Sequence, residues 1–151
     1  MSKTKTNTKS IIHIASDHRG YILKYELKKY LQKNNFKIID HGNHEYQVRD
    51  DYPDFAKALC KTIQKKPSDF GILICGSGIG MAIVANRYSK IRAANCWHAK
   101  VAESARNDDD ANILVLPADF ITKTQAMETV KKFLHTKFSA KTKHIRRLKK
   151  I

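Results

Sequence analysis

Short apolar runs and amphipathic stretches alternate along the whole chain. Residues 11–15 (Ile-Ile-His-Ile-Ala) form a brief β-branched run and predict a strand. Ile22, Leu23, Leu27, Tyr30 and Leu31 recur at helical spacing, which predicts a helix over 20–32. A second strand is expected at 36–39, followed by a polar loop over 40–53. Pro53 suits a first helical turn, with Phe55, Ala56, Leu59, Cys60 and Ile63 as the buried face behind it. Residues 70–74 are almost wholly apolar and predict a third, buried strand. A helix over 79–88, a strand over 91–96, a helix over 99–106 and a strand over 113–116 follow. A long helix over 124–138 and a short basic one over 141–151 complete the chain.

Five apolar strands separated by amphipathic helices imply βαβ units. Such units build a parallel sheet with helices on both faces. The expected fold is therefore α/β: a Rossmann-like three-layer αβα sandwich with a five-stranded parallel sheet and a C-terminal basic helix. Ligands of such sheets bind beyond the carboxyl ends of the strands. Chemistry should be sought in residues 16–20, 40–53, 75–80, 97–100 and 117–122.

A length of 151 residues fits one domain, assigned to 11–151, with a core that needs no disulfide or structural metal. No apolar run approaches the ~20 residues of a membrane-spanning helix. Cys60, Cys75 and Cys96 lack CxxC spacing, so a reducing, cytoplasmic setting is expected. The net charge of +15 raises a nucleic-acid partner, but its distribution lowers that expectation. Residues 1–10 carry three lysines and no acid, and read as a disordered basic tail. Residues 131–151 carry nine Lys or Arg and no acid. Between them, seventeen basic groups meet all fourteen acidic ones. The excess sits at the two ends, without the interleaved aromatics of a base-stacking surface, so nucleic acid is not the expected partner. A lysine-rich surface is the plain explanation. An anionic ligand held by the C-terminal cluster is the sharper one.

The segment Cys75-Gly76-Ser77-Gly78-Ile79-Gly80 carries the most chemistry. Alternate glycines let the backbone turn sharply and present consecutive N–H groups, an anion-binding nest ahead of a helix. The pattern is neither GxGxxG nor a P-loop, so no cofactor is implied. A cysteine at the nest's entrance gains nucleophile or base character if the helix N-terminus lowers its pKa, as expected. Cys60 and Cys96 read as structural. Asp17 and His18 leave the first strand together, and Asp17 serves equally well as an N-cap. Asp50 or Asp51 could cap the helix that Pro53 begins, and His41 and His44 read as solvated loop residues. No set of residues has convincing metal spacing. His98 is either catalytic or a helix-start residue. Residues 107–110 (Asn-Asp-Asp-Asp) read as a solvated acidic loop unless something basic faces them.

These residues together resemble the B-type ribose-5-phosphate isomerases, within the larger group that includes the galactose-6-phosphate isomerase subunits. The resemblance runs from about Ile11 to the C-terminus. It rests on residues 16–20 (Ser-Asp-His-Arg-Gly), on Asp51-Tyr52-Pro53 and above all on residues 72–80. Ala85-Asn86-Arg87, Ile91-Arg92-Ala93 and Asn112-Ile113-Leu114 extend it. The resemblance implies interconversion of an aldose and a ketose phosphate without metal or cofactor. Cys75 would remove the C2 proton, and the backbone of Gly76, Gly78, Ile79 and Gly80 would hold the enediolate oxygens. Ser77 would relay a proton between them, Asp17 would bind hydroxyls and His18 would help hold the phosphate. Tyr46 and Asp51 would border the sugar. It also implies a homodimer with sites at the subunit interface, either alone or as a dimer of dimers, where Lys143, Arg146 and Arg147 of the C-terminal helix reach the partner's site.

Three positions depart from the family pattern, and all add negative charge. Asp108 stands in place of the ring-opening His, Asp109 in place of the neighbouring Asn, and Asp119 in place of a phosphate-binding Arg. His98 or Asp108 is then left to open the ring, with Asp109 at the substrate's edge. The proton-transfer set is intact, so ribose 5-phosphate and ribulose 5-phosphate are the expected pair. Two rivals stay open: isomerisation of a six-carbon sugar phosphate, and a catalytically impaired sugar-phosphate or nucleic-acid binding module.

Overall fold

The computed structural model describes residues 10–151, so the expected tail over 1–10 lies outside the described residues except for Ser10. Five strands, β1 (Ile12–Ser16), β2 (Ile38–Asp40), β3 (Phe70–Cys75), β4 (Ala93–Asn95) and β5 (Ile113–Pro117), form one sheet. Their order is β2-β1-β3-β5-β4, and every neighbouring pair is parallel. The helices are α1 (Tyr21–Lys33), α2 (Tyr52–Lys65), α3 (Ile79–Ala85), α4 (Ala99–Asp109), α5 (Lys123–His135) and α6 (Thr142–Leu148). This is the three-layer α/β architecture expected from the alternation.

Strand pleating divides the core. Ile12 and Ile14 of β1, Ile72 and Ile74 of β3, and Leu114 and Leu116 of β5 pack with Leu27, Ala102, Val130 and Phe133 on one face. Ala15, Leu73, Cys75, Ile113 and Val115 pack with Leu59, Ile63, Met81 and Ala85 on the other. Both faces of these strands are covered, which is why they read as continuous apolar runs. The thiol of Cys75 therefore belongs to the face covered by α2 and α3.

Several boundaries moved for identifiable reasons. β4 is shorter than 91–96 because the Arg92 N–H donates to the Asn112 side chain (2.8 Å) instead of a ladder carbonyl. α3 stops at Ala85, where Asn86 turns across to β4. Its amide donates to Ala93 O (2.9 Å) and accepts from Ala93 N (2.8 Å), so a side chain covers the sheet's edge. α5 starts behind a capping box in which Thr122 and Gln125 each satisfy the other's backbone N–H. The acidic run is not a solvated loop. Asn107, Asp108 and Asp109 end α4, and Asp110 follows with a positive φ of 46°. Arg92 and Arg106 both pair with Asp110, and Arg106 lies over the rings of Phe70 and Phe133. His41 is not solvated either: its Nε2 meets Nδ1 of the buried His13 at 2.9 Å, and His13 Nε2 meets Asp69 at 3.1 Å.

Candidate active site

The carboxyl ends of β1 and β3 converge on one site. After β1, Asp17 turns the chain into a 3₁₀ turn, His18–Gly20, by accepting the N–H groups of Arg19 (3.0 Å) and Gly20 (3.1 Å). The cap reading of Asp17 holds, and its carboxylate is also almost fully buried at the site. Burial pushes its pKa up, against the opposing pull of the Gly20 and Arg19 N–H groups.

Cys75 ends β3 and is 4% exposed. Gly78 (φ 74°) takes the left-handed conformation and becomes the N-cap of α3. This turn directs the backbone N–H groups of Met81, Gly78 and Ser77 toward the thiol, each favouring thiolate. Burial is the larger effect, so the thiol's pKa lies above its ordinary value, opposite to the lowering expected from the helix N-terminus alone. The geometry still matters, because those donors sit where a second anion beside the sulfur would form. Cys60 and Cys96, buried with nothing to stabilise a thiolate, are pushed up to about 12, in keeping with a structural role.

Ser77 Oγ accepts the Ile79 N–H (3.3 Å), and Asn95 Nδ2 donates to Ser77 O (3.1 Å). The Asn95 side chain lies against Gly78 with its Oδ1 buried and without a partner among the described residues. Asn95 thus braces the glycine loop from the end of β4. Its only sequence signal was a polar residue at a strand's carboxyl end.

The carboxylate that meets His18 is Asp50. One Asp50 oxygen lies 2.6 Å from His18 Nδ1 and accepts the His18 N–H at 3.0 Å. The other accepts Asn43 Nδ2 at 2.5 Å. Asp51, expected beside the sugar, is an exposed N-cap of α2 with no side-chain cap bond. Tyr46 is largely exposed but stands edge-on to the His18 ring, 6.4 Å between centroids. Tyr52 packs against Gly80. Asp17, His18 and Asp50 bring ligand atoms within 4.8 Å of one another, the one such group among the described residues. Within this group His18 and Asp50 bond to each other, whereas Asp17 bonds to the backbone N–H groups of Arg19 and Gly20.

Of the other expected participants, His98 follows β4 at the carboxyl end of the sheet, and the rest lie towards its opposite end. His98 is exposed and caps α4 through Nδ1, accepting the Lys100 N–H at 3.1 Å, which supports the helix-start alternative. α4 leaves the carboxyl end of β4 and runs back about 16 Å along the sheet. Asp108 and Asp109 at its far end are therefore at the opposite end of the sheet from Cys75 of the same chain. Asp108 there faces His144 of α6 (3.6 Å), and Asp109 lines a cavity of about 700 Å³ with Arg87, Arg92 and Leu148. Lys143, Arg146 and Arg147 are exposed on α6, which packs against α4. Connectivity thus separates two groups that the sequence reading had joined.

Asp119 does not stand as an uncompensated charge. It pairs with Arg19, and its backbone N–H donates to Gly76 O at 2.9 Å. No helix among the described residues is long and apolar enough to cross a membrane.

The family described as Ribose/Galactose Isomerase matches residues 12–151. A protein of Rickettsia bellii, named provisionally as a sugar phosphate isomerase, is 47% identical over 138 residues, covering 91% of this chain and 95% of that one. The crystal structure of a ribose 5-phosphate isomerase from Thermotoga maritima has a TM-score of 0.89 at 44% identity, covering 93% of this chain and 96% of that one. That of ribose-5-phosphate isomerase B from Mycoplasma genitalium, with bound ribulose-5-phosphate, has a TM-score of 0.92 at 36% identity, covering 95% of each.

Proposed function

The chain belongs to the ribose/galactose isomerase family, and from that premise we propose that it interconverts ribose 5-phosphate and ribulose 5-phosphate through an enediolate. The observation that carries the proposal is Cys75, a thiol at a strand end met by three backbone N–H groups and bordered by a buried Asp17. In this reading Cys75 takes the proton from C2 of the open-chain aldose and returns it to C1. The hydroxyl proton moves from O2 to O1 by way of Ser77. The N–H groups of the glycine loop hold the oxygens as charge develops, which lowers the barrier because the donors are already oriented. Asp17 binds sugar hydroxyls, and His18, held by Asp50, faces the substrate with its other nitrogen.

The same reading makes the protein a homodimer. Asp108, Asp109, Lys143, Arg146 and Arg147 lie at the sheet end away from their own Cys75, so they can serve a site only from another copy. Ring opening then falls to a group brought by that copy or to spontaneous opening. A six-carbon sugar phosphate is the second reading, favoured by the family's span of ribose and galactose isomerases.

Turnover of ribose 5-phosphate by the purified protein, with Cys75→Ala alongside, is the test. Loss of a general base should lower kcat by roughly 10²–10⁴-fold. Equal rates in the two proteins would remove Cys75 from the mechanism, and an inactive wild type would remove the substrate.

A further inference from the structure

Arg19 has no role in the chemistry described so far, yet its guanidinium lies directly on the glycine loop. A Cβ built on Gly76 would collide with Cζ, Nε and Nη1 of Arg19, so the guanidinium covers that residue's Cα. Asp119 holds it from the far side through Nη2. Asp119 is in turn fixed to the loop: its N–H donates to Gly76 O, and Ala118 N–H donates to Cys75 O, both at 2.9 Å. The backbone after β5 and the first glycine of the nest thus form one platform, and Arg19 is strapped across it.

Two features distinguish this pair from an ordinary surface ion pair. The Arg19 side chain is 55% exposed, and Asp119 is its one hydrogen-bond partner among the described residues. A guanidinium has five N–H donors, and those on Nε and Nη1 have no acceptor among the described residues. The carboxylate neutralises the net charge and fixes the plane of the fork, so less rotamer freedom is lost when an anion binds. His18 is the adjacent residue, and its ring is held by Asp50. Consecutive residues of this turn thus carry an imidazole held by Asp50 and a cation laid on the first glycine of the nest.

We propose that Arg19, clamped by Asp119 over Gly76, is a substrate-anion-binding residue that takes the phosphate of the sugar phosphate. The acidic Asp119 is then the holder of the phosphate-binding cation and not an obstacle to the dianion. The proposal rests on the sugar-phosphate reading above, and its test keeps the two apart.

The full-length protein is titrated with inorganic phosphate and, separately, assayed on ribose 5-phosphate, as wild type, Arg19→Ala and Arg19→Lys. Losing a charge-assisted fork should weaken phosphate binding about tenfold and raise KM by a similar factor, with a much smaller change in kcat. Lysine restores the charge without the fork and should recover part of the loss. Phosphate affinity unchanged in Arg19→Ala would overturn the assignment. So would a fall in thermal stability with KM unmoved, which marks a purely structural strap. A wild type that binds phosphate through Arg19 but does not turn over the sugar would overturn the isomerase reading and leave this one standing.

Discussion

His18 Nδ1 lies 2.6 Å from an Asp50 oxygen that also accepts the His18 backbone N–H at 3.0 Å. Two bonds to one carboxylate oxygen fix both the ring and the turn that carries it. They assign the Nδ1 proton to the Asp50 side and leave Nε2 for a ligand. Asp50→Asn keeps the volume but loses the charge and the acceptor pattern. It is expected to lower kcat/KM on ribose 5-phosphate by about tenfold, the scale of a charged hydrogen bond, with the fold intact by circular dichroism.

The raised pKa of Cys75 gives the rate profile a sign. In the proposed mechanism the thiolate is the proton acceptor, and burial places its formation above the ordinary thiol range. The kcat/KM should therefore rise with pH and keep rising past the ~8.5 of a free thiol. A steady-state pH series on wild type checks this. A plateau beginning near neutrality would show that a neighbouring group lowers the thiol's pKa in the free enzyme.

Asp17 carries the opposite lesson for stability. Its carboxyl is held above the ordinary value by burial, so the folded chain binds that proton more tightly than the unfolded one. Stability linked to it is fully present below the unfolded pKa and is lost as pH rises through the folded pKa. The penalty therefore grows as pH rises above the unfolded pKa. Asp17→Asn keeps an oxygen to accept the Arg19 and Gly20 N–H groups and should raise Tm at pH 7. The gain should vanish below about pH 4, where the native carboxyl is protonated in both states. Activity should fall in the same variant.

Gly78 is the glycine whose replacement should do most damage. Its φ of 74° costs an L side chain about 1–2 kcal/mol, and a Cβ there would also collide with the Asn95 side chain. Gly78→Ala should lower Tm and disturb the N–H donors that face Cys75. Asn95→Ala, by contrast, removes the brace on Ser77 O and should affect kcat more than Tm. Parallel melts and kinetics separate the two.

If two copies share each site, defects on different sides should complement. Cys75→Ala removes the proposed base, and a chain with both Arg146→Ala and Arg147→Ala removes cations at the opposite end of the sheet. Each alone should be impaired. After unfolding and refolding together, mixed dimers carry one site with neither defect, so activity should reappear. No recovery in a verified mixed dimer would place both groups in service of the same chain's site.

The sequence by itself determined the layers, the strands and the glycine turn that follows Cys75. Short apolar runs alternating with amphipathic helices call for a parallel sheet covered on both faces, and alternate glycines after Cys75 call for a tight turn at a strand's end. These are local properties, written in consecutive residues. What the tertiary structure decided were the partners across the sheet. Asp50 could not be told from Asp51 by spacing, because which of the two meets His18 depends on how the 40–53 loop folds back over β1. The acidic Asp119 looked like an obstacle to a phosphate until Arg19, 100 residues away in sequence, was found against it. Asp108 and Asp109 looked like neighbours of Cys75 because helix direction is invisible in a motif. α4 carries them to the other end of the sheet. Charge pairing and distance are properties of the folded chain, and only there does it become visible which charged residues meet.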